Sequence, residues 1–261
     1  MLYRMKEHIL FNFSGPYQQS IIDSNIDLKN LPQHIAFIMD GNGRWAEAKG
    51  KNRFKGHLAG AEVVKDLVKA FLFLKIPVMT IYAFSTENWQ RAPAEVGFLM
   101  SLFERFIDNE CLELKKNGVK LRFIGNTDEL NDSLNKKIKW AEKETENENK
   151  LILNIAVNYG SRREILDAVS GILNDIENKI ISKKDITEKS FSNYLYTATL
   201  PDPDLVIRTS GEMRLSNYLL WQVAYSEIWI TKTFWPDFTV PEFFQAIAEF
   251  QQRERRFGGV C

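Results

Sequence analysis

Hydrophobic and polar positions follow two periods along this chain. Short apolar runs between polar turns are typical of buried strands, and apolar residues spaced three or four apart are typical of amphipathic helices. Residues 58–74 and 95–116 have the helical period, whereas residues 35–39 and 78–84 have the strand-like pattern. The first half of the chain therefore predicts strands that alternate with helices.

The second half of the chain repeats this alternation. The pattern predicts further strands over residues 120–124, 151–157, 205–207 and 228–231, and further helices over residues 129–146, 163–176 and 241–255. Alternating strands and helices favour right-handed crossovers and a mainly parallel sheet that carries helices on both faces. We therefore expect an α/β fold with one doubly wound domain over residues 31–261. Residues 1–30 have no clear period and predict a loosely ordered N-terminal arm.

Three of the predicted strands run into polar loops that contain arginine. The first strand runs into Asp40 and a Gly/Asn turn that ends in Arg44; the second runs into STENWQR, and the strand at 205–207 runs into RTSGEMRLS. Ligands of open α/β sheets bind at the carboxyl ends of the strands, so the three loops predict one site. A carboxylate, backbone N–H groups and arginines suit a divalent cation and the phosphate oxygens it bridges. A short Gly/Asn turn by itself can also be only a turn.

Composition and charge narrow the class of protein. The chain has 261 residues, 44% of them hydrophobic, and no Pro/Gly/Ser-rich linker, which favours one large domain. A formal net charge of zero argues against nucleic acid as a partner. Cys111 and Cys261 form neither a disulfide framework nor a metal-binding pair, which fits a reducing cytoplasm. No apolar run reaches the roughly 18 residues of a membrane span, so we expect a cytoplasmic protein, at most peripheral to the inner face of the membrane.

Several nucleotide and metal motifs are missing from the sequence. It contains no GxxxxGK[ST] run, and its GNG turn is not a GxGxxG fingerprint, so neither familiar mode of nucleotide binding is supported. It also contains no adjacent Asp-Asp pair. The Asp-rich metal motif of trans-type prenyl diphosphate synthases is therefore excluded.

Several segments together resemble the cis-prenyltransferase family, whose bacterial members are undecaprenyl diphosphate synthases. They include HIAFIMDGNGRWA, YAFSTENWQR, VNYGSRRE, PDLVIRTSGEMRLSNYLLWQ, AYSEIW and RERRFGG, and the resemblance covers about residues 31–259. It implies a doubly wound homodimer with a hydrophobic product tunnel. It also implies a Mg²⁺-dependent enzyme that adds isopentenyl diphosphate to farnesyl diphosphate and forms Z double bonds. The expected product is undecaprenyl diphosphate, a lipid carrier for cell-wall synthesis that is released to the membrane.

The resemblance also implies roles for individual residues. Asp40 would be the essential carboxylate and a metal ligand, Glu227 the second metal ligand, and Asn88 a catalytic residue that orients a water or a diphosphate oxygen. The positions implied for the allylic diphosphate are Gly41, Asn42, Gly43, Arg44, Trp45, Arg53 and His57. Those implied for the homoallylic substrate are Ser85, Thr86, Glu87, Trp89 and Arg91, and those for its diphosphate are Arg208, Arg214, Leu215 and Ser216. The terminal Arg-x-Gly, beginning at Arg256, would reach the active site of the partner subunit.

Plainer explanations exist for several of these residues. His57 could cap a helix, the apolar stripe over residues 95–116 could be ordinary packing, and RERRFGG could be a solvated tail. If the stripe lines a tunnel, Phe98 is expected at its floor, where a bulky ring would shorten the product. Ser210 and Ser161 depart from the family's usual TGGE and NYGGR, and serine tolerates positive φ poorly.

Three other functions compete with the leading hypothesis. They are a shorter-chain synthase, a non-catalytic partner subunit and a general phosphate-binding protein. A scaffold would not need both Asp40 and the arginines, and a phosphate-binding protein would not need the apolar helix stripe.

Overall fold

A computed structural model describes residues 17–253 of the chain. One parallel sheet has the strand order β3-β4-β2-β1-β5-β6. Its strands are β1 (His34–Ile38), β2 (Val78–Ser85), β3 (Val119–Ile124), β4 (Leu151–Tyr159), β5 (Leu205–Arg208) and β6 (Glu227–Ile230). The predicted α/β fold with a parallel sheet and flanking helices is confirmed.

The helices alternate with the strands along the chain. They are α1 (Gln18–Ser24), α2 (Asn42–Ala48), α3 (Arg53–Leu74), α4 (Pro93–Lys116), α5 (Asp132–Glu144), α6 (Ser161–Glu177), α7 (Glu188–Ser192) and α8 (Val240–Gln251). Short 3₁₀ turns lie at Thr86–Gln90, Thr127–Glu129, Lys183–Asp185 and Trp235–Asp237.

The sheet is apolar on both faces because helices and loops cover both of them. Every residue of β1 is buried, and successive residues point to opposite sides. Phe37 belongs to the larger core, where the rings of Phe71 and Phe243 stack at 5.2 Å. Its neighbour Ala36 belongs to a second core that contains Tyr159 and Tyr218. This double burial explains why the strands read as continuous apolar runs.

The order of the strands in the sheet shows where a ligand-binding crevice is expected. From β1 the chain moves to β2 on one side, and it later returns to the other side of β1 with β5. The carboxyl ends of β1 and β5 therefore flank a topological switch point, where a crevice opens in sheets of this kind. Asp40 follows β1 and Arg208 ends β5, so both residues lie at this crevice.

Helix α3 begins earlier than the sequence pattern predicted. The side chain of Asn52 caps it by accepting a hydrogen bond from the backbone N–H of Phe54 at 3.0 Å. His57 therefore lies inside the helix, and the explanation of His57 as a helix cap is wrong. The apolar period begins only beyond the capping turn, which is why periodicity alone missed the first residues.

The segment over residues 17–30 is more ordered than the loose arm that was predicted. Its helix α1 packs against α8, with the ring of Tyr17 edge-on to Phe244 at 5.8 Å, and Ile21 is buried. The side chain of Gln251 accepts a hydrogen bond from the backbone N–H of Asp27 at 2.9 Å. A helix this short has little stability of its own, so its order comes from tertiary contacts that the local pattern does not reveal.

Candidate active site

Asp40 joins two of the predicted loops. Its Oδ1 accepts a hydrogen bond from Nη2 of Arg44 at 2.9 Å, and its Oδ2 accepts one from Nη2 of Arg208 at 2.9 Å. Burial would raise the pKa of Asp40, but the hydrogen bonds from Arg208 and Arg44 outweigh it and hold the pKa below its usual value. The carboxylate is therefore ionised, and it holds one guanidinium from α2 and one from the end of β5.

Glu212 extends this group to the loop after β5. Its two carboxylate oxygens accept from Nη1 of Arg44 at 2.9 Å and from Nη1 of Arg214 at 2.5 Å. Arg208, whose side chain is only 5% exposed, also donates to Oγ of Ser216 at 2.9 Å and to the backbone oxygen of Arg214. We call Arg44, Arg208 and Arg214 the arginine cluster. Asp40 and Glu212 offset two of its three positive charges.

A second group of cationic side chains meets at Glu95, in the first turn of α4. The Glu95 carboxylate accepts from Nε of Arg53 at 3.2 Å and from Nη1 of Arg91 at 3.0 Å, and Nε2 of His57 lies 3.3 Å away. Burial would raise the pKa of Glu95, but Arg53 and Arg91 outweigh it and lower the pKa. Burial also lowers the pKa of His57, so its ring is neutral at physiological pH. The structure thus brings Arg53, His57 and Arg91 together around one carboxylate.

Sequence reasoning missed Glu95. The only signal for it is the spacing from Arg91, because residues four apart face each other on a helix and its start. Its role as an acceptor for three groups from two other segments depends on how α3 and α4 pack. Arg53 also explains a glycine, since a Cβ on Gly43 would lie 2.5 Å from the guanidinium carbon.

The loop after β2 contains the remaining predicted polar residues. Oδ1 of Asn88 accepts from the backbone N–H of Ser85 at 3.2 Å, so this oxygen is already bonded to the main chain. Trp89 donates from Nε1 to Oδ1 of Asn158 at 2.7 Å and rests edge-on against Phe84. Thr86 begins the 3₁₀ turn, and the Glu87 carboxylate accepts from Asn217 at 2.9 Å. The side chains of this loop therefore connect β2 to the end of β4 and to the loop that follows β5.

The first loop is built by close packing. Gly41 has φ 101°, and a Cβ there would lie 2.1 Å from Oγ of Ser210. Asn42 donates from Nδ2 to the backbone oxygen of Met39 at 3.1 Å, while its buried Oδ1 has no hydrogen-bond partner. The first N–H groups of α2, which follow Gly41, have no partner within the helix.

Three predicted residues lie elsewhere or are used for packing. Trp45 is buried and donates from Nε1 to Oδ1 of Asp237 at 2.7 Å, and Leu215 packs against the second core. Glu227 begins β6, where its register partner is Leu205, about 10 Å along the sheet from Arg208. Its carboxylate accepts from Nη1 of Arg253 at 2.8 Å. Within one subunit, Glu227 and Asp40 are therefore apart, and the predicted Arg256 lies outside the described residues.

The two serines that depart from the family pattern behave differently. Ser210 has φ 77°, and its buried hydroxyl has no hydrogen-bond partner. Ser161 is the first residue of α6, and its hydroxyl accepts from the backbone N–H of Leu220 at 3.0 Å. Serine is therefore strained at position 210 but contributes a useful acceptor at position 161.

An apolar cavity of about 90 Å³ lies between α3, α4 and the sheet. Asn42 and His57 line it on the side of the two cationic groups. Its walls are formed by Met39, Gly60, Ala61, Val64, Ile81, Ala83, Leu99, Leu102, Phe103, Phe106, Ile107, Phe123, Ile155 and Trp235. Part of the predicted stripe on α4 thus faces a cavity.

Phe98 is not among the residues that form this cavity. Its ring stacks on Phe54 at 4.4 Å, with the Arg105 guanidinium 5.7 Å from the ring centre. The expectation that Phe98 forms the tunnel floor is therefore wrong. Position on a helix face predicted a contact with the core, but α3 and α4 pack so that Phe98 meets α3 on the outer side.

The described part of the chain contains neither a preformed metal-binding group of side chains nor a membrane-spanning helix. Between residues 17 and 253, no three His, Cys, Asp or Glu side chains lie close enough together to hold a metal ion by themselves. None of the helices in this part is long and apolar enough to cross a membrane.

Comparisons with known proteins agree with this geometry. The sequence profile of a family described as putative undecaprenyl diphosphate synthase matches residues 38–258. The isoprenyl transferase of Fusobacterium nucleatum is 51% identical over 232 residues, which cover 89% of this chain and 98% of that protein. The isoprenyl transferase of Thermotoga maritima is 51% identical over 230 residues, covering 88% and 98%.

Solved structures agree as well. The lavandulyl diphosphate synthase of Lavandula x intermedia, crystallised with dimethylallyl diphosphate, has a TM-score of 0.84 at 34% identity and covers 87% of this chain and 98% of its own. A probable undecaprenyl diphosphate synthase from Campylobacter jejuni has a TM-score of 0.73 at 35% identity, covering 88% and 99%. The fold and the sequence agree along most of the chain. It therefore belongs to the undecaprenyl diphosphate synthase family and is a prenyltransferase.

Proposed function

We propose that this prenyltransferase condenses isopentenyl diphosphate units onto an allylic diphosphate, farnesyl diphosphate, with Mg²⁺, and that its product is undecaprenyl diphosphate with Z double bonds. One observation carries the proposal. His57, which belongs to the group at Glu95, and Asn42, which lies two residues before Arg44 of the arginine cluster, line the same apolar cavity. Two diphosphates and a growing hydrocarbon need this combination of surfaces.

The allylic diphosphate is assigned to the side of the crevice formed by the first loop, Arg44, Arg53 and His57. The crystal structure of lavandulyl diphosphate synthase contains dimethylallyl diphosphate, and its similarity to this chain supports an allylic diphosphate here. Arginine forks match phosphate oxygens in pairs, and each charge-assisted bond contributes roughly 1.5–3 kcal/mol. Asn42 and His57 border the cavity, so a hydrocarbon attached to that diphosphate would enter it directly.

The isopentenyl diphosphate is assigned to Arg208, Arg214 and Ser216. Arg214 is the most exposed member of the arginine cluster. Its guanidinium is paired with the side-chain carboxylate of Glu212 and not with a backbone carbonyl. An incoming diphosphate can replace Glu212 at Arg214 without uncovering a buried charge. Arg208 is nearly buried and bonded to Asp40, so it would bind the same anion in a fixed orientation.

The reaction breaks the allylic C–O bond, joins the allylic carbon to the terminal carbon of the isopentenyl double bond, and releases a proton from the condensed product. The departing diphosphate takes up the negative charge, which the guanidinium groups are placed to stabilise. The oxygen of Asn88 is bonded to the main chain and amides are weak bases, so Asn88 orients a group rather than removing the proton. A diphosphate oxygen or a water is then the acceptor.

Mg²⁺ fits the donor set at Asp40. This ion is usually bound by one or two carboxylates together with substrate phosphates, rather than by a full cage of protein ligands. Asp40 supplies one partly exposed carboxylate beside the proposed diphosphate position, although an arginine must first release one of its oxygens. When bound, the ion would withdraw charge from the diphosphate and make it a better leaving group. Glu227 stays a predicted second ligand.

The chain is further proposed to act as a homodimer. Helix α6 exposes Leu166, Val169 and Leu173 on one face, with 63% of Leu166 and 56% of Leu173 accessible. Monomeric proteins rarely expose such a continuous apolar stripe. A second copy of this chain would cover it, and Arg256 would then reach the partner's site as the family resemblance implies.

The proposal is tested by incubating the protein with farnesyl diphosphate, labelled isopentenyl diphosphate and Mg²⁺, and by sizing the extracted product. We expect a ladder that ends at the undecaprenyl length. A ladder that ends earlier would support the shorter-chain alternative. No incorporation by the wild-type protein would support a non-catalytic partner subunit and would contradict the proposed reaction.

Asp40→Asn is the first variant to compare. It keeps the shape of the side chain and one acceptor for Arg208 but loses the charge that Arg208 pairs with, so some loss of stability is expected. Turnover per folded molecule, with the folded fraction measured by circular dichroism, is expected to fall by at least about a thousandfold. Asp237→Asn is a matched control, because Asp237 bonds Trp45 and Lys49 outside the crevice. Near-normal turnover of Asp40→Asn at saturating Mg²⁺ would contradict the role assigned to Asp40.

A further inference from the structure

The loop that contains Ser216 has an unusual backbone. Ser216, Asn217 and Leu219 have φ values of 51°, 60° and 47°, in the left-handed region that residues with a Cβ rarely adopt. Such conformations persist only where surrounding contacts enforce them, and they concentrate at functional sites. The contacts that enforce this turn therefore determine where Arg214 and Ser216 stand.

Asn217 makes most of those contacts. Its Nδ2 donates to Oε1 of Glu87 at 2.9 Å, and its Oδ1 accepts from the backbone N–H of Arg162 at 2.9 Å. Its backbone oxygen accepts from the N–H of Ser161 at 2.8 Å. One residue thus connects the loop after β5 to the 3₁₀ turn after β2 and to the start of α6.

Two further observations support a specific fit at Asn217. A Cβ on Gly160 would lie 2.7 Å from Nδ2 of Asn217 and 2.7 Å from Oγ1 of Thr86, so the chain has no room for a larger residue beneath the amide. Burial would raise the pKa of Glu87, but the hydrogen bond from Asn217 and others from the turn lower it. Glu87 is therefore a charged acceptor, and bonds to charged acceptors are stronger than bonds between neutral groups.

We propose that Asn217 is a positioning residue that fixes the Arg214–Ser216 segment against the turn at Glu87, and so holds the isopentenyl diphosphate subsite in its binding geometry. Asn217 touches neither substrate in this assignment. Glu87 then acts through Asn217 rather than on a substrate directly. The inference rests on the proposed function for the identity of the ligand.

Three variants separate the side chain from the backbone. Asn217→Gly removes both side-chain hydrogen bonds but accepts φ 60° without strain. Asn217→Asp keeps the acceptor for Arg162 and tolerates left-handed backbone, but it sets a carboxylate against that of Glu87. The double variant Asn217→Asp, Glu87→Gln restores a donor and an acceptor between the two side chains in the opposite direction.

Lys75→Gly is the matched control. Lys75 also has positive φ, 59°, but it caps the far end of α3 and does not belong to the crevice. Its kinetic constants should equal those of the wild type, because glycine there changes only backbone freedom.

The measurements are the KM values for isopentenyl diphosphate and farnesyl diphosphate, kcat, and the calorimetric Kd for isopentenyl diphosphate alone. Asn217→Gly and Asn217→Asp should raise the KM and Kd for isopentenyl diphosphate by about fivefold to thirtyfold, the effect of one or two lost hydrogen bonds. The KM for farnesyl diphosphate should stay within about twofold, and the double variant should recover most of the loss. A merely structural role would reduce the active fraction and leave both KM values unchanged.

The outcomes distinguish this inference from the proposed function. Equal effects on both substrates, unchanged constants, or no recovery in the double variant would overturn the positioning role while leaving the prenyl transfer intact. If the wild type forms no product but its Kd for isopentenyl diphosphate depends on Asn217 as described, the proposed reaction fails and the positioning role stands.

Discussion

Single residues in the crevice combine tight packing with opposed charges. Asp40 and Glu212 accept hydrogen bonds from the arginines that are proposed to bind diphosphate, so a diphosphate would compete with carboxylates of the chain itself. A nearly buried guanidinium such as Arg208 needs this, since an unpaired charge in that position would be strongly destabilising. Ligand binding is then an exchange of acceptors, which keeps the arginines in place before the substrate arrives.

Replacing Ser210 or Ser161 by glycine should change the stability of the protein in opposite directions. Ser210→Gly should raise the free energy of unfolding by about 1 kcal/mol, because glycine relieves φ 77° and removes a buried hydroxyl without a partner. Ser161→Gly should lower it by about 1–2 kcal/mol, because it removes the acceptor for Leu220 and weakens the start of α6. Urea unfolding followed by circular dichroism measures both; equal signs for the two variants would contradict this account.

Helix α4 forms part of the cavity wall, whereas strands β1, β2 and β4 belong to the sheet beneath it. Glu95 lies in the first turn of helix α4, where it binds Arg53 and Arg91, and the helix continues along the cavity, so depth in the cavity corresponds to position along the helix. Phe106 lies about three turns, or roughly 16 Å, beyond Glu95 on this helix. Strands β1, β2 and β4 are meanwhile joined at their other end by buried polar side chains.

Phe106→Ala is expected to lengthen the polyprenyl product, because it removes a ring from the deep part of the cavity wall. Phe98→Ala is the control on the same helix, since its ring stacks on Phe54 outside the cavity. Chromatographic sizing of the products compares the two variants. Identical product ladders for Phe106→Ala and the wild type would mean that the hydrocarbon does not reach this depth.

The buried His34, which lies in the sheet, predicts that the stability of the protein depends on pH. His34 of β1 lies 2.6 Å from Oγ1 of Thr80 and 2.7 Å from the backbone oxygen of Pro201, and Asn154 also donates to Thr80. Burial lowers the pKa of His34 to about 4, from an ordinary value of 6.5. The unfolded chain therefore binds a proton more readily than the folded one between these values, and stability falls as pH decreases through that window.

Between pH 7.5 and pH 5, His34 should cost the protein about 2 kcal/mol of unfolding free energy. The measurement is urea unfolding of the wild type and of His34→Gln at both pH values, which separates this histidine from other titrating groups. His34→Gln should lose about 2 kcal/mol less over the same interval. The same loss in both proteins would show that His34 titrates normally in the folded state.

The crevice, the cavity and the exposed apolar stripe of α6 lie in different places around the one sheet. The crevice lies at the carboxyl ends of the strands, the cavity lies on the face covered by α3 and α4, and the apolar stripe of α6 lies on the surface. Glu227 pairs with Arg253 at the start of β6, away from Asp40 of its own subunit. A homodimer would therefore have to bring any contribution from Glu227 across the subunit boundary.

Leu173→Asp is expected to weaken the proposed dimer by at least about a hundredfold, because it would bury an unpaired charge in the stripe of α6. Leu112→Asp on α4 is the control, since Leu112 is equally exposed, at 58%, but does not belong to that stripe. Size-exclusion chromatography with light scattering over a range of concentrations gives the oligomeric state. A dimer that survives Leu173→Asp would mean that α6 is not the interface.

The sequence alone was enough to predict the order of the six strands and of the five longer helices, the parallel sheet and the three loops at the strand ends, whereas the short helices α1, α2 and α7 were not predicted. These features depend on local periods and on the rule that carboxyl ends of parallel strands share one edge. The family motifs added the identity of Asp40 and the arginines, most of which the structure brings together.

Tertiary packing decided the rest. It made Glu95 the acceptor for three groups, turned Phe98 away from the cavity, ordered α1 against α8, and separated Glu227 from Asp40. It also made Asn217 the connection between three loops. Each of these outcomes depends on contacts between residues far apart in the chain, which no local pattern of hydrophobic and polar positions encodes.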